Sequence, residues 1–191
     1  GRVFVTGESQ NADGSYDMHT LKIGASTGSL IWEQRYNGGA NLNDTAYRVL
    51  PDSAGDVFVI GMTTASPGNQ DFYTAKYAAA DGALLWAQPY NSLLDFGPWN
   101  SSQDRPNAVA VDSNGNVVVT GFSGIVHFGG GHVEYYTAKY AAADGALLWE
   151  QRFSGPADNY DGAQAVAVDS GGNVVVTGGS GTIKYQADGM G

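Results

Sequence analysis

Short apolar runs of strand length, separated by Gly- and Asn-rich turns, fill this chain, a pattern that reads as strands and hairpins. Four runs share one ending: residues 3–7 (VFVTG), 57–61 (VFVIG), 117–121 and 174–178 (both VVVTG). Apolar at successive positions, each is expected to be a strand covered on both faces. Each belongs to a longer unit in which four segments, A to D, follow in fixed order. Segment A (48–52, 108–112, 165–169) leads through a turn of hairpin chemistry (SAGD, SNGN, SGGN) into the Val run, segment B. Segment C (20–23, 74–77, 137–140, 182–185) leads through a second tight turn (STGS, ADGA, ADGA) into segment D (30–36, 84–90, 147–153). In places the copying is literal: residues 138–149 repeat residues 75–86, AKYAAADGALLW, letter for letter. Pro89 inside segment D predicts an outer edge strand, where a missing N–H is tolerated.

The repeat, about 54–60 residues between closing glycines, is longer than a leucine-rich or ankyrin repeat and slightly longer than a usual propeller blade. Four antiparallel strands per unit, stacked by repetition, predict an all-β chain of β-propeller blades. The units run 1–44, 45–104, 105–161 and 162–191, within one domain over residues 1–191. The first unit has segments B, C and D and the last has A, B and C, so about four blades are expected, the first and last incomplete. Two readings follow. The preferred one makes the chain part of a larger propeller; the other makes it an open arc whose exposed strand edges pair with another chain.

The pattern DSxGNVxVTG followed by YTAKYxxxDGxLLWEQRF resembles the bacterial β-propeller repeats called SBBP repeats, found in secreted and cell-surface proteins. Its DG/TG-x-L-x-W element is similar to the tryptophan-docking motif of quinoprotein-like (PQQ-like) propellers. That similarity implies that Trp32, Trp86 and Trp149 each pack a blade onto its neighbour. The resemblance covers nearly the whole chain and implies a fold and a secreted or cell-surface bacterial location. It leaves function open, because one fold hosts many functions.

Composition narrows the classes. The absence of Cys removes disulfides, thiolate metal sites and Cys nucleophiles. No apolar run approaches the roughly 18–20 residues that span a bilayer, and the chain itself contains no signal peptide; its start inside a turn is read as lost upstream sequence. A net charge of −10 argues against nucleic acid and anionic membranes as partners.

Topology places the A–B and C–D turns on one face of the unit and the B–C and D–A connections on the other. The first set is short and uniform. The second is long and different in every unit: 8–16, 62–70 and 122–133 for B–C, and 37–43, 91–103 and 154–160 for D–A. Function is expected on that second face, which holds about half of the 19 acids: Glu8, Asp13, Asp17, Asp44, Asp71, Asp95, Asp104, Glu134, Asp158 and Asp161. Those that recur in register, Asp44/Asp104/Asp161 and Asp17/Asp71/Glu134, are read as capping turns or accepting backbone N–H groups. The candidate partner-binding residues are Asp95, Phe96 and Trp99 in the second D–A loop and His127 and His132 around a Gly-rich stretch. Asn11, Asp13, Ser15 and Asp17 place oxygens at alternate positions, loosely like a calcium loop, but lack its central Gly and terminal Glu. His19 stands at the Tyr73/Tyr136 position and is read as packing. Lys22, Lys76, Lys139 and Lys184 hold one position in all four units, which predicts an inter-blade bond. Glu33/Arg35 and Glu150/Arg152 lie two apart, and the second unit replaces both together with Ala87 and Pro89, which suggests ion pairs.

Three functions compete. A non-enzymatic scaffold or interaction module, self-assembling through open edges in one version, needs no catalytic set and is the leading reading. A carbohydrate-binding or carbohydrate-active propeller would draw on the non-repeated acids Glu8, Asp13, Asp95 and Asp158. A quinone oxidoreductase is disfavoured, since the docking Trp is architectural and the chain is short for an eight-bladed ring. No cofactor is required by the sequence, with calcium the one candidate.

Overall fold

The computed structural model describes residues 1–92, 100–127, 130–155 and 161–191, with the backbone alone at 100, 126, 127 and 130. These residues form strands and no helix: β1 (Arg2–Gln10), β2 (Tyr16–Gly24), β3 (Leu30–Tyr36), β4 (Thr45–Pro51), β5 (Val57–Ser66), β6 (Asn69–Tyr77), β7 (Leu84–Tyr90), β8 (Asn100–Val111), β9 (Val117–His127), β10 (Gly130–Tyr140), β11 (Leu147–Phe153), β12 (Ala163–Val168), β13 (Val174–Gly178) and β14 (Gly181–Tyr185). Consecutive strands pair antiparallel within β1–β3, β4–β7, β8–β11 and β12–β14. The all-β, antiparallel architecture matches the sequence pattern. One pairing that the pattern does not suggest, a parallel bridge at Gln70 and Gln103, joins β6 to β8 and merges the two middle units into one sheet.

The core lies between units. One apolar cluster brings Phe58, Ile60, Phe72 and Trp86 onto Val117, Val119 and Tyr136. A second joins Met18 and Trp32 to Val57, Val59 and Tyr73, and a third joins Val118 and Tyr135 to Val174, Val176 and Tyr185. Each segment B strand in the middle units therefore has an apolar cluster on both faces, and Val57, Phe58, Val59 and Ile60 are all buried. This is why those runs do not alternate.

The closing glycines have a steric cause. In β4, β8 and β12 the register slips by one residue, at Tyr47, Asn107 and Gln164, opposite the closing glycines Gly61, Gly121 and Gly178 of β5, β9 and β13. Such a bulge bends its strand and sharpens the local twist. A Cβ on Gly61, Gly121 or Gly178 would run into the carbonyl oxygen of Thr45, Arg105 or Gly162. The extra residue also links units: Arg105 lies 4.5 Å over the Tyr47 ring, and Asn107 Nδ2 donates to Ala163 O at 2.8 Å.

Tryptophan docking is present at every boundary. The indoles of Trp32, Trp86 and Trp149 lie against Gly82, Gly145 and Gly189 of the following unit, each at positive φ (75°, 73° and 89°). Their Nε1 atoms donate to Ala79, Ala142 and Ala187 carbonyls at 3.4, 3.3 and 3.1 Å. Three of the recurring lysines finish the joint: Lys22, Lys76 and Lys139 donate to those same carbonyls. Lys76 and Lys139 also pair with their own units' Asp52 and Asp112, at 3.0 and 2.9 Å. Lys184 is exposed and reaches Asp169 at 3.3 Å.

Two expectations need correction. The B–C connections are mostly strand: β5 and β6 continue to a turn at Pro67-Gly68, and β1 runs to Gln10 before turning. Backbone pairing in a hairpin continues under polar side chains as long as they face water. The Glu33–Arg35 and Glu150–Arg152 pairs do not form. Glu33 bonds His19 at 3.0 Å, Arg35 bonds Ser9, Glu150 accepts from Tyr136 at 2.7 Å, and Arg152 pairs with Glu134 at 2.5 Å. Residues two apart on one strand lie farther from each other than from their cross-strand neighbours, and the neighbours win.

Candidate functional site

The face carrying the hairpin tips holds a cavity of about 730 Å³ between the first two units, lined by Glu8, Tyr16, Asn43, Thr45, Thr64 and Gln70 among others. Its walls are tied together by polar bonds. Thr45 Oγ1 donates to Glu8 at 2.7 Å, Tyr16 N donates to Asn43 Oδ1 at 3.1 Å, and Thr64 Oγ1 donates to Asn43 O at 2.6 Å. Asn41 at the rim holds φ 51°, the one positive value at a non-glycine among the described residues. Its conformation is supported by the short 37–44 connection, where Asn37 Nδ2 donates to Asn41 Oδ1. Amides, hydroxyls and one carboxylate give the lining donors and acceptors for polar groups, beside the apolar Leu42, Met62 and Pro67. Among the described residues Glu8 is the single charged one of the lining.

Of the recurring acids beneath this face, Asp44, Asp104 and Asp161 accept backbone N–H groups, as their repetition predicts, whereas Asp17 and Glu134 meet the side chains of Asn11 and Arg152 instead. Asp44 accepts from Gly38 N at 2.5 Å, Thr63 Oγ1 at 2.7 Å and Thr64 N at 3.0 Å. Asp104 accepts from Ser92 N at 2.8 Å, and Asp161 from Gly155 N at 2.5 Å and from Ser180 Oγ. Each closes its D–A connection onto the next strand. Burial raises the Asp104 pKa, with hydrogen bonds from Ser123, Ser92 and Gly124 opposing it. Burial first, and the Asp104 charge second, push the Asp71 carboxyl up to about 6, and its Oδ1, like Asp104 Oδ1, accepts no hydrogen bond.

The Asn11–Asp17 turn closes on itself. Asn11 Nδ2 donates to Ser15 at 3.1 Å and to Asp17 at 2.7 Å, while Asp13 Oδ1 accepts from both the N and Oγ of Ser15. Those Ser15 bonds hold the Asp13 pKa low. Among the described residues no three His, Asp or Glu side chains gather as a metal ligand set. His132 sits in β10 opposite Ile125, with Nε2 3.5 Å from Ser154 Oγ, and His127 ends β9 opposite Gly130. The structure thus sets His132 beside Ser154 and Glu134 rather than in the cavity. Asp95, Phe96, Trp99 and Asp158 lie outside the described residues. Sequence reasoning placed Tyr16, Asn43 and Gln70 within the variable connections of this face without singling them out, and it missed Thr45, the first residue of β4; the four come together only because the ends of β1, β2, β4, β5 and β6 meet.

No helix among the described residues is long and apolar enough to cross a membrane. The family model described as outer membrane protein assembly factor BamB matches residues 1–189. No curated protein matches the sequence. Among solved structures, a gluconolactonase from Xanthomonas campestris is similar at 15% identity and a TM-score of 0.45, over 96% of this chain and 58% of that one. BamB from Moraxella catarrhalis is similar at 11% identity and a TM-score of 0.21, over 97% of this chain and 83% of that one.

Proposed function

The chain belongs to the family of outer membrane protein assembly factor BamB, and we propose that it acts as a non-enzymatic β-propeller scaffold that binds a protein partner through the hairpin-tip face. The observation that carries this reading is the contrast between the two kinds of polar group there. Asp44 and Asp161 are buried and committed to N–H and hydroxyl donors, and Asp104 is buried with its Oδ2 on Ser92 N, whereas Asn43, Glu8 and Asn41 stand exposed around the cavity. A rigid frame with an exposed polar rim is the arrangement of a binding module. The family and the repeat type favour a bacterial secreted or envelope location. Self-association through the free edge of β1, where Val3 and Val5 are 45% and 44% exposed, belongs to the same reading.

The test uses the immobilised chain and a variant, Thr64→Arg, that fills the cavity. The reading expects defined proteins retained by the parent chain and lost by the variant. A second reading, recognition of a glycan, draws on the amide and hydroxyl lining of the cavity. Saturable binding on a glycan panel, abolished by Thr64→Arg, with no protein lost between the two chains, would put the glycan reading in its place.

A further inference from the structure

In the third unit Arg152 occupies a well-defined seat. Its Nη1 bonds Glu134 at 2.5 Å and Ser123 Oγ at 3.3 Å. Its guanidinium lies 5.6 Å from the ring of Tyr90 and 5.4 Å from that of Tyr136, and those two rings stack at 3.9 Å across the unit boundary. The acid, the hydroxyl and the aromatic pair are all supplied at fixed repeat positions. Arg35 occupies the matching position in the first unit and makes the matching contact, Nη1 to Ser9 Oγ at 2.5 Å.

The second unit builds the same seat and leaves out the cation. Tyr36 and Tyr73 stack at 4.0 Å, as Tyr90 and Tyr136 do. Thr63 stands where Ser123 stands and Asp71 where Glu134 stands, each opposite its partner in the β5–β6 pairing. At the position of Arg35 and Arg152, β7 carries Pro89, opposite Tyr73. Asp71 is only 6% exposed and its Oδ1 has no hydrogen-bond partner. Pro89 is exposed, so the seat is bordered by solvent on the side from which an arginine would enter. The other charged or titratable groups that face it are Asp44, which is engaged by its own donors, Asp104 and the Tyr36 hydroxyl. None of them is a cation. A buried carboxylate with a free oxygen, beside stacked tyrosines, is stabilised by a planar guanidinium, which bonds the acid and packs on the rings at once.

We propose that Asp71, Thr63, Tyr36 and Tyr73 form a receptor for a guanidinium group, an arginine side chain presented by a partner polypeptide, in the place that Arg152 fills in the neighbouring unit. The interaction reading enters only in naming a polypeptide as the source of the arginine. The chain's charge of −10 favours the approach of such a group.

The test is an NMR titration of the full chain with a blocked Gly-Arg-Gly peptide, following the ring resonances of Tyr36 and Tyr73. The citrulline analogue, isosteric and uncharged, serves as the control. Saturable shifts are expected with arginine and not with citrulline, with affinity reduced at least tenfold in Asp71→Asn. In Pro89→Arg, which restores the residue used by the other units, binding should be lost because the chain fills its own seat. Equal binding of citrulline, unchanged binding by Pro89→Arg, or no saturable shift in the parent chain would each overturn the proposal. If Asp71→Asn does not fold, the citrulline control and Pro89→Arg decide alone. The peptide also separates the two readings. A peptide that binds while no protein partner is retained by the immobilised chain contradicts the scaffold and leaves the receptor standing. A retained partner with no peptide binding does the reverse.

Discussion

The indole of Trp86 lies so close to Gly145 of the next unit that a Cβ there would come within 2.7 Å of the ring. The same relation holds for Trp32 with Gly82 and for Trp149 with Gly189. Gly145 also sits at φ +73°, where a side chain costs about 1–2 kcal/mol in backbone strain alone. Gly28 shares the positive φ but meets nothing within 4 Å. Gly145→Ala should therefore destabilise the chain by about 2–4 kcal/mol, strain and lost packing together, and Gly28→Ala by about 1–2 kcal/mol. Urea titration of the two variants measures the difference.

Lys139 and Asp112 form a buried pair at 2.9 Å. Removing one partner leaves the other charge buried alone, so Lys139→Met should cost about 3–5 kcal/mol at neutral pH. Burial pulls the Asp112 pKa up, but the bonds from Lys139 and Asn116 with the Lys139 charge take it below its usual value. A folded pKa below the unfolded one gives stability that is present above the unfolded value, about 3.9, and lost as pH falls through the folded value. The denaturation midpoint of the parent chain should fall below about pH 4, and Lys139→Met should show less of that fall.

Asp71 has the opposite sign. Its folded pKa, raised to about 6 by burial and by Asp104, lies above the unfolded value. Ionising it costs stability, a cost that is absent below about pH 4, grows toward pH 6 and is full above it. Acidification from pH 7 to pH 4.5 should therefore raise the urea midpoint through this residue. Asp71→Asn should be more stable than the parent at pH 7 and lose that rise. A pH series on both chains checks it.

The oxygens of the Asn11–Asp17 turn are engaged with one another, Asp13 by Ser15 and Asp17 by Asn11. A calcium ion would have to break those bonds for a site lacking a bidentate terminal acid. Calcium and chelator should leave the thermal midpoint within about 1 °C of each other, well under the shift of several degrees that a stabilisation of 1 kcal/mol produces. A larger calcium-dependent rise would make this turn a metal site.

Much of the fold was legible because repetition lets a chain be compared with itself. The Val runs of 57–60 and 117–119 announced strands covered on both faces, and Trp32, Trp86 and Trp149 announced the joints. The lysines were legible for the same reason. Side-chain pairing was less so: Glu150 and Arg152 look like partners along the strand, yet their nearest groups are Tyr136 and Glu134 across it. The face was legible in the variable connections 8–16, 37–43 and 62–70, but the cavity was not, since Tyr16 and Gln70 are far apart in sequence and near only because two hairpin ends converge. Closing glycines were recognisable as a pattern, but their reason, the bulges at Tyr47, Asn107 and Gln164, is a matter of register that spacing does not show.

The measurement that tests the account most directly is site-specific photocrosslinking in the native host. One crosslinker replaces Leu42 at the cavity and another replaces Asn114 in the opposite A–B turn. The account predicts one defined protein adduct from position 42 and none from position 114. Adducts from position 114 alone, or equal adducts from both, would contradict the assignment of partner binding to the hairpin-tip face.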